Sequence, residues 1–216
     1  MPPIEYLIYL SIILIDFLLG LIFWKNNNKL KFLIILLGAT FASECISRFL
    51  AYYITNSNPP YHFLAPLQSL LWGLFLLNNL KSKKKKLLFV ILNFSIIIFS
   101  IINTFFFQDV YSFPDNILRI QSFVFVSIGF ILFFEKIDES IEINIFKDPM
   151  FLISIALIWF NLVSFIFFNF HSFLLKNVFS STTFRLINYV SNYGYYTILF
   201  IAIFLSSLKV KRNESE

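Results

Sequence analysis

The sequence predicts an all-α, polytopic transmembrane bundle of seven helices, and three observations carry that prediction. The 216 residues are 58% hydrophobic and 13% charged, where soluble domains run at about 45–50% and 25%. Mean hydropathy is +0.79. The apolar excess is gathered into seven runs of roughly 19–24 residues, the length that crosses a hydrocarbon core of about 30 Å.

The elements follow in order. The first run, Ile4–Trp24, carries Glu5 ahead of its apolar stretch and Asp16 within it. It lacks a small-x-small cleavage site, so it is expected to stay as a helix. Span two is Phe32–Ile54, and Asn58-Pro59-Pro60 separates it from span three, Tyr61–Leu80. Pro66 kinks span three if the helix has begun at Tyr61, and opens it if the helix begins near Ala65. Span four is Leu87–Phe107. Pro114-Asp115-Asn116 offers an N-cap before span five, Ile117–Glu135. The longest connection, Lys136–Pro149, is polar and ends in Asp148-Pro149, a cap followed by proline at the first helical position. Span six is Met150–His171, span seven Arg185–Leu208, and Lys209–Glu216 is a short tail. Nothing is left over for a soluble domain, so residues 1–216 read as one seven-helix domain. Starts of spans one to three and five to seven differ by 113, 118 and 124 residues, which permits either a sequential bundle or a 3+1+3 plan.

Charge sets the expected orientation. The connections after spans one, three and five, with the tail, hold 13 of the 17 Lys and Arg residues: Lys25, Lys29, Lys31, Lys81, Lys83–Lys86, Lys136, Lys147, Lys209, Lys211 and Arg212. The opposite connections hold Lys176, with Arg119 and Arg185 at span starts. By the positive-inside rule the N-terminus is outside and the C-terminus cytoplasmic. The net charge of +5 therefore points to topology and to anionic headgroups at Lys81–Lys86, and not to nucleic acid.

Composition excludes several chemistries. The single cysteine, Cys45, allows no internal disulfide and no C-x-x-C motif. Two histidines, His62 and His171, cannot build a three-histidine zinc site. Isolated glycines leave no phosphate loop. No cofactor or metal is expected. The 31 phenylalanines have A/T-rich codons and read as interchangeable lipid-facing residues.

Ionisable residues inside spans cost about 2.5–3.5 kcal/mol each at a helix centre, so they mark candidate sites. In span two, Thr40, Glu44, Arg48 and Tyr52 form a polar stripe. Ala39, Ser43, Ser47 and Ala51 form a stripe of small residues beside it, suited to close helix packing. Glu44 and Arg48 are spaced i, i+4, as a site floor or as a structural pair. Asp16 is either a satisfied structural carboxyl or a proton-coupling group. Asp115 and Arg119 read as a local pair. Span seven adds Arg185, Asn188, Asn192 and Tyr195; span three His62 and Gln68; span four Asn103; span six Asn161 and His171. Most lie at or outside the midplane, whereas the inner half reads as nearly continuous Leu, Ile and Phe. They suggest an outward-facing polar pocket of Glu44, Arg48, Tyr52, Gln68, Asn161, Asn188 and Asn192, with proton coupling through Asp16 or Glu44. The alternative is a set of interhelical hydrogen bonds, each worth about 0.6 kcal/mol.

Glu44-Cys45-Ile46-Ser47-Arg48 in span two and Asn188 to Tyr196 in span seven, with the layout, resemble the small seven-helix inner-membrane proteins of A/T-rich bacteria, which are uncharacterised. That resemblance implies a bacterial inner (plasma) membrane location and no activity. A retinal protein is excluded, because span seven has no lysine between Arg185 and Leu208. Glu44-x-x-x-Arg48 and Phe167-x-x-x-His171 echo parts of the CAAX-type protease motifs. Ser43 stands where the first glutamate belongs, however, and the last histidine motif is missing. A ceramidase-type zinc hydrolase needs three histidines. An exosortase-like use of Cys45 with Arg48 has no histidine motif to follow it. The leading expectation is a non-enzymatic membrane protein binding a small or lipid-derived ligand, as a sensor or as the membrane subunit of a larger system with a partner membrane or signalling protein. A secondary transporter is the alternative, and an intramembrane hydrolase comes third.

Overall fold

The computed structural model describes residues 4–24, 30–139, 144–177 and 181–213. The side chains of 24, 139, 171–177, 181, 184 and 209–213 lie outside that description. Lys25 and Lys29 therefore fall outside the described residues, as do the side chains of His171, Lys176 and the tail cations. Every regular element among the described residues is helical. They are α1 (Ile4–Trp24), α2 (Lys31–Tyr53), α3 (Pro59–Asn79), α4 (Lys83–Ile102), α5 (Asp115–Glu139), α6 (Pro149–Asn177) and α7 (Ser181–Asn213). A π-helical turn, Asn103–Phe107, continues α4, and a 3₁₀ turn, Ile145–Lys147, precedes α6.

Six of the helices are long and apolar enough to cross a membrane. Their outer faces bear Ile22, Phe49, Phe94, Phe105 and Phe123 in exposed positions, the reverse of a soluble surface. The exception is α3. Its 21 residues give about 31 Å, yet His62, Pro66, Gln68, Asn78 and Asn79 lower its hydropathy. It packs against both α2 and α4 and buries His62, Ser69, Trp72 and Phe75. Beside that packed face α3 keeps an exposed apolar strip of Phe63, Leu67 and Leu70.

The helices group into two compact units. One holds Asn28–Gln121; the other holds Met1–Asn27 with Ser122–Glu216. In the first, α2 packs on α3 and α3 on α4, as sequential antiparallel neighbours joined by short turns. In the second, α7 packs against both α6 and α1. Helix α5 contributes its first turns to one unit and the remainder to the other.

Local chemistry accounts for the helix ends. Asp148 Oδ1 accepts from the backbone N–H of Met150 and Phe151, as the Asp-Pro signal requires. Ser82 caps α4 by accepting from Lys85 N–H. Helix α3 begins at Pro59, which places Pro66 inside it and denies the His62 carbonyl its helical donor. Asp115 does not cap α5 as the sequence suggests. It is the first residue of the helix and binds Gln108 and Arg119 instead. Helices α6 and α7 outrun their apolar segments, because residues 172–177 and 181–184 continue the helical backbone.

Two close approaches set the packing. A Cβ on Gly129 of α5 would lie 2.7 Å from Ile158 Cγ1 and 3.2 Å from the Ile158 backbone nitrogen. A Cβ on Gly194 of α7 would lie 2.9 Å from Trp159 Nε1, and that indole donates to the Ser191 carbonyl at 3.2 Å.

Candidate functional site

The polar residues of the Asn28–Gln121 unit concentrate at its lysine-poor end, where α2 turns into α3 and α4 into α5. His62 Nε2 lies 2.9 Å from the Ser112 carbonyl and Nδ1 3.0 Å from Thr104 Oγ. A carbonyl only accepts, so Nε2 carries the hydrogen, while the Thr104 hydroxyl suits either state of Nδ1. Asn103 donates to Gln108 Oε1 at 2.9 Å, and Gln108 donates to Asp115 at 2.7 Å. Asn116 donates to Asn103, and Arg119 completes the chain on Asp115. Asn56 and Asn58 both donate to the Tyr111 carbonyl, tying the α2–α3 turn to the α4–α5 connection. This rim is tied largely to itself, with Arg119 Nε a buried atom that has no partner among the described residues. The π-helical turn at Asn103–Phe107 supports it by placing Asn103 and Thr104 inward, a feature often found at functional sites.

Below the rim lies a second set of polar groups, almost fully buried. Ser47 and Ala65 each stand six residues, about 9 Å, from the helix ends that meet at the α2–α3 turn, and Ser43 and Ser69 stand ten residues, about 15 Å, from them. Gln121, six residues into α5, donates from Nε2 to the Ala65 carbonyl and to Ser69 Oγ, both at 3.3 Å. Its Oε1 has no partner among the described residues, and neither do Ser43 Oγ, Ser47 Oγ, Ser100 Oγ and Asn93 Oδ1. Most buried polar side-chain atoms are hydrogen-bonded, so a cluster of exceptions asks for a reason. Glu44 is buried beside this layer and accepts from the Tyr61 hydroxyl at 3.2 Å.

The other sequence-predicted residues are distributed as follows. Arg48 and Tyr52 are exposed, one and two turns from Glu44 toward the lysine-poor end; Gln68 is half-buried, next to Ser69. Asn161, Asn188 and Asn192 belong to the other unit. There Asn161 donates to the Leu157 carbonyl of its own helix, and Asn192 to the Asn188 carbonyl and side chain. These bonds run within single helices, so they are neither a shared pocket nor the interhelical bonds of the alternative. In the small-residue stripe of α2, Ser43 and Ser47 are buried and Ala39 and Ala51 half-buried.

Gln121, Ser100, Asn93 and Ser69 were not legible as candidates. Each is a neutral residue with no charged or periodic signal, and only the fold shows that three helices, α3, α4 and α5, bring them into one unit. Asp16, in the other unit, is 1% exposed, and neither carboxyl oxygen has a partner among the described residues. Between α6 and α7 runs an apolar groove of about 230 Å³, lined by Trp159, Val163, Thr183, Leu186, Ile187, Val190 and Ser191. Lys81, Lys83 and Lys84 are exposed where α4 begins. No protein-family model, curated protein or solved structure matches the chain.

Proposed function

We propose that this is a seven-span protein of the bacterial inner membrane, with its N-terminus outside and its C-terminus cytoplasmic. In this reading it binds a small neutral polar or lipid-derived ligand in the layer formed by Ser43, Ser47, Ser69, Ser100 and Gln121. The observation that carries the reading is the concentration of buried hydroxyl and amide oxygens without partners among the described residues, about 9–15 Å below a hydrogen-bonded rim. Hydroxyls and an amide offer matched donors and acceptors, which suits a ligand carrying hydroxyl, carbonyl or amide groups. Glu44 borders the layer, with Arg48 and Tyr52 toward its mouth. Helix α3 crosses the bilayer packed on α2 and α4, and Lys81–Lys86 hold the cytoplasmic end on anionic headgroups. Such a protein acts as a sensor or as the membrane subunit of a larger system, through a partner in the membrane.

The test uses Trp72, buried on α3 one turn from Ser69. With Trp24→Phe and Trp159→Phe it becomes the sole reporter in proteoliposomes, to be titrated with amino acids, sugars, polyols and lipid headgroup analogues. The reading expects saturable fluorescence change, lost in Gln121→Leu, without uptake into the lumen. Saturation that survives both Gln121→Leu and Ser47→Val would remove the layer as the site. A second reading, a secondary transporter, is favoured by the unpartnered Asp16 carboxyl, and it expects uptake in the same vesicles.

A further inference from the structure

Asp16 is held by nothing that explains it. It sits on the buried stripe Tyr9, Ile13, Asp16, Gly20 of α1, the face packed on α7. Two contacts fix the register of this pair. The Tyr193 hydroxyl donates to the Glu5 carbonyl at 2.6 Å, and the Tyr9 and Tyr196 rings lie 5.8 Å apart. Carrying that register down two parallel helices puts Asp16 level with Ile203, next to Ala202, both at most 1% exposed. The carboxyl thus gives up its hydration in an apolar layer without gaining a hydrogen bond among the described residues, a cost of the kind that membrane proteins concentrate at functional positions. Among the described side chains, the ionisable groups of α1 and α7 along this seam are Glu5, Tyr6, Tyr9, Tyr193, Tyr195 and Tyr196, all on the lysine-poor side of it.

The other side differs. One turn toward the lysine-rich end, the same register brings Gly20 level with Ser207, next to Ser206, both buried. From Asp16 to Phe23 is seven residues, about 10 Å of helix. Gly20 offers no side chain to fill that stretch; the Ser207 hydroxyl donates to the Phe204 carbonyl at 2.6 Å and, with Ser206, supplies the polar groups there.

We propose that Asp16 is a proton-exchange site reached from the lysine-rich end along the Gly20, Ser206 and Ser207 face. The carboxylate takes a proton from hydronium, leaving water and the neutral acid, and returns it by the same route. This deepens the transporter reading by naming its coupling ion and the side from which that ion enters. It is read out without flux, so failure of either leaves the other measurable.

The experiment is infrared difference spectroscopy of the full chain in lipid films, following the carboxyl C=O band while the bathing pH and then D₂O are changed. The proposal expects a band that appears and disappears reversibly with pH, is lost in Asp16→Asn and moves in frequency in Asp16→Glu. Its exchange with D₂O is slowed in the Ser206→Val, Ser207→Val double variant. A wild-type spectrum in which no band depends on Asp16 at any pH overturns the site. A titrating Asp16 band whose exchange is unaffected by the double variant overturns the route.

Discussion

Ser47→Ala and Ser69→Ala are the same chemical change on facing helices at neighbouring depths, and the structure assigns them opposite consequences. Ser47 is 2% exposed and its hydroxyl has no partner among the described residues. Burying an unbonded hydroxyl costs about 1–3 kcal/mol by mutational data, and alanine regains roughly 0.5 kcal/mol of helix propensity. Water or ligand contact in an open layer returns part of the first term, so Ser47→Ala should be neutral to about 1–2 kcal/mol stabilising. Ser69 accepts from Gln121 at 3.3 Å. Losing a neutral hydrogen bond of this kind costs about 0.5–1.5 kcal/mol, offset by the same roughly 0.5 kcal/mol of propensity. Ser69→Ala should therefore be neutral to about 1 kcal/mol destabilising. For a chain of this size each kcal/mol moves Tm by about 2–4 °C, so the variants should separate by several degrees. Thermal unfolding followed by circular dichroism in one detergent or nanodisc is the assay. A Ser47→Ala protein that melts below Ser69→Ala would refute the reasoning, because the Ser47 hydroxyl would then be structurally engaged.

Gly129→Ala should destabilise by about 1–3 kcal/mol, since its Cβ meets Ile158 at backbone as well as side chain. Gly73→Ala, whose Cβ comes only within 3.4 Å of Asn93, should be neutral or gain up to about 1 kcal/mol; the same melts compare them. Thr55, at φ 59° just past the end of α2, is a β-branched residue where glycine is usual. Thr55→Gly should raise stability by about 1 kcal/mol through relief of that strain.

The helix count, the span centres and the Asp115–Arg119 pair were legible because each depends on local signals: a long apolar run, a flanking charge, a spacing of four. The ends of α6 and α7 were less legible, since helical propensity continues where hydropathy stops. Pro66 could not be placed because its meaning depends on where α3 begins, and the Asn56 and Asn58 bonds to Tyr111 join segments more than fifty residues apart. The stripe through Thr40, Glu44, Arg48 and Tyr52 is a true helical face, yet burial divides it at its middle. Sequence periodicity gives the face and not its neighbours. Single polar residues such as Gln121 and Ser100 carry no periodic signal at all. Nor is the inner half all Leu, Ile and Phe: Ser206 and Ser207 are buried on α7 near its lysine-rich end.

The central claim is a polar layer open to water from the outer side, and cysteine accessibility tests it most directly. In a Cys45→Ser background, single changes Ser57→Cys in the α2–α3 turn, Ser47→Cys in the layer and Ser82→Cys after α3 are exposed to an impermeant maleimide from outside intact cells. The account predicts fast labelling at position 57, slower labelling at 47, and labelling at 82 only after the membrane is permeabilised. A position 47 that stays unlabelled until the protein is denatured, with 57 labelled, would contradict it.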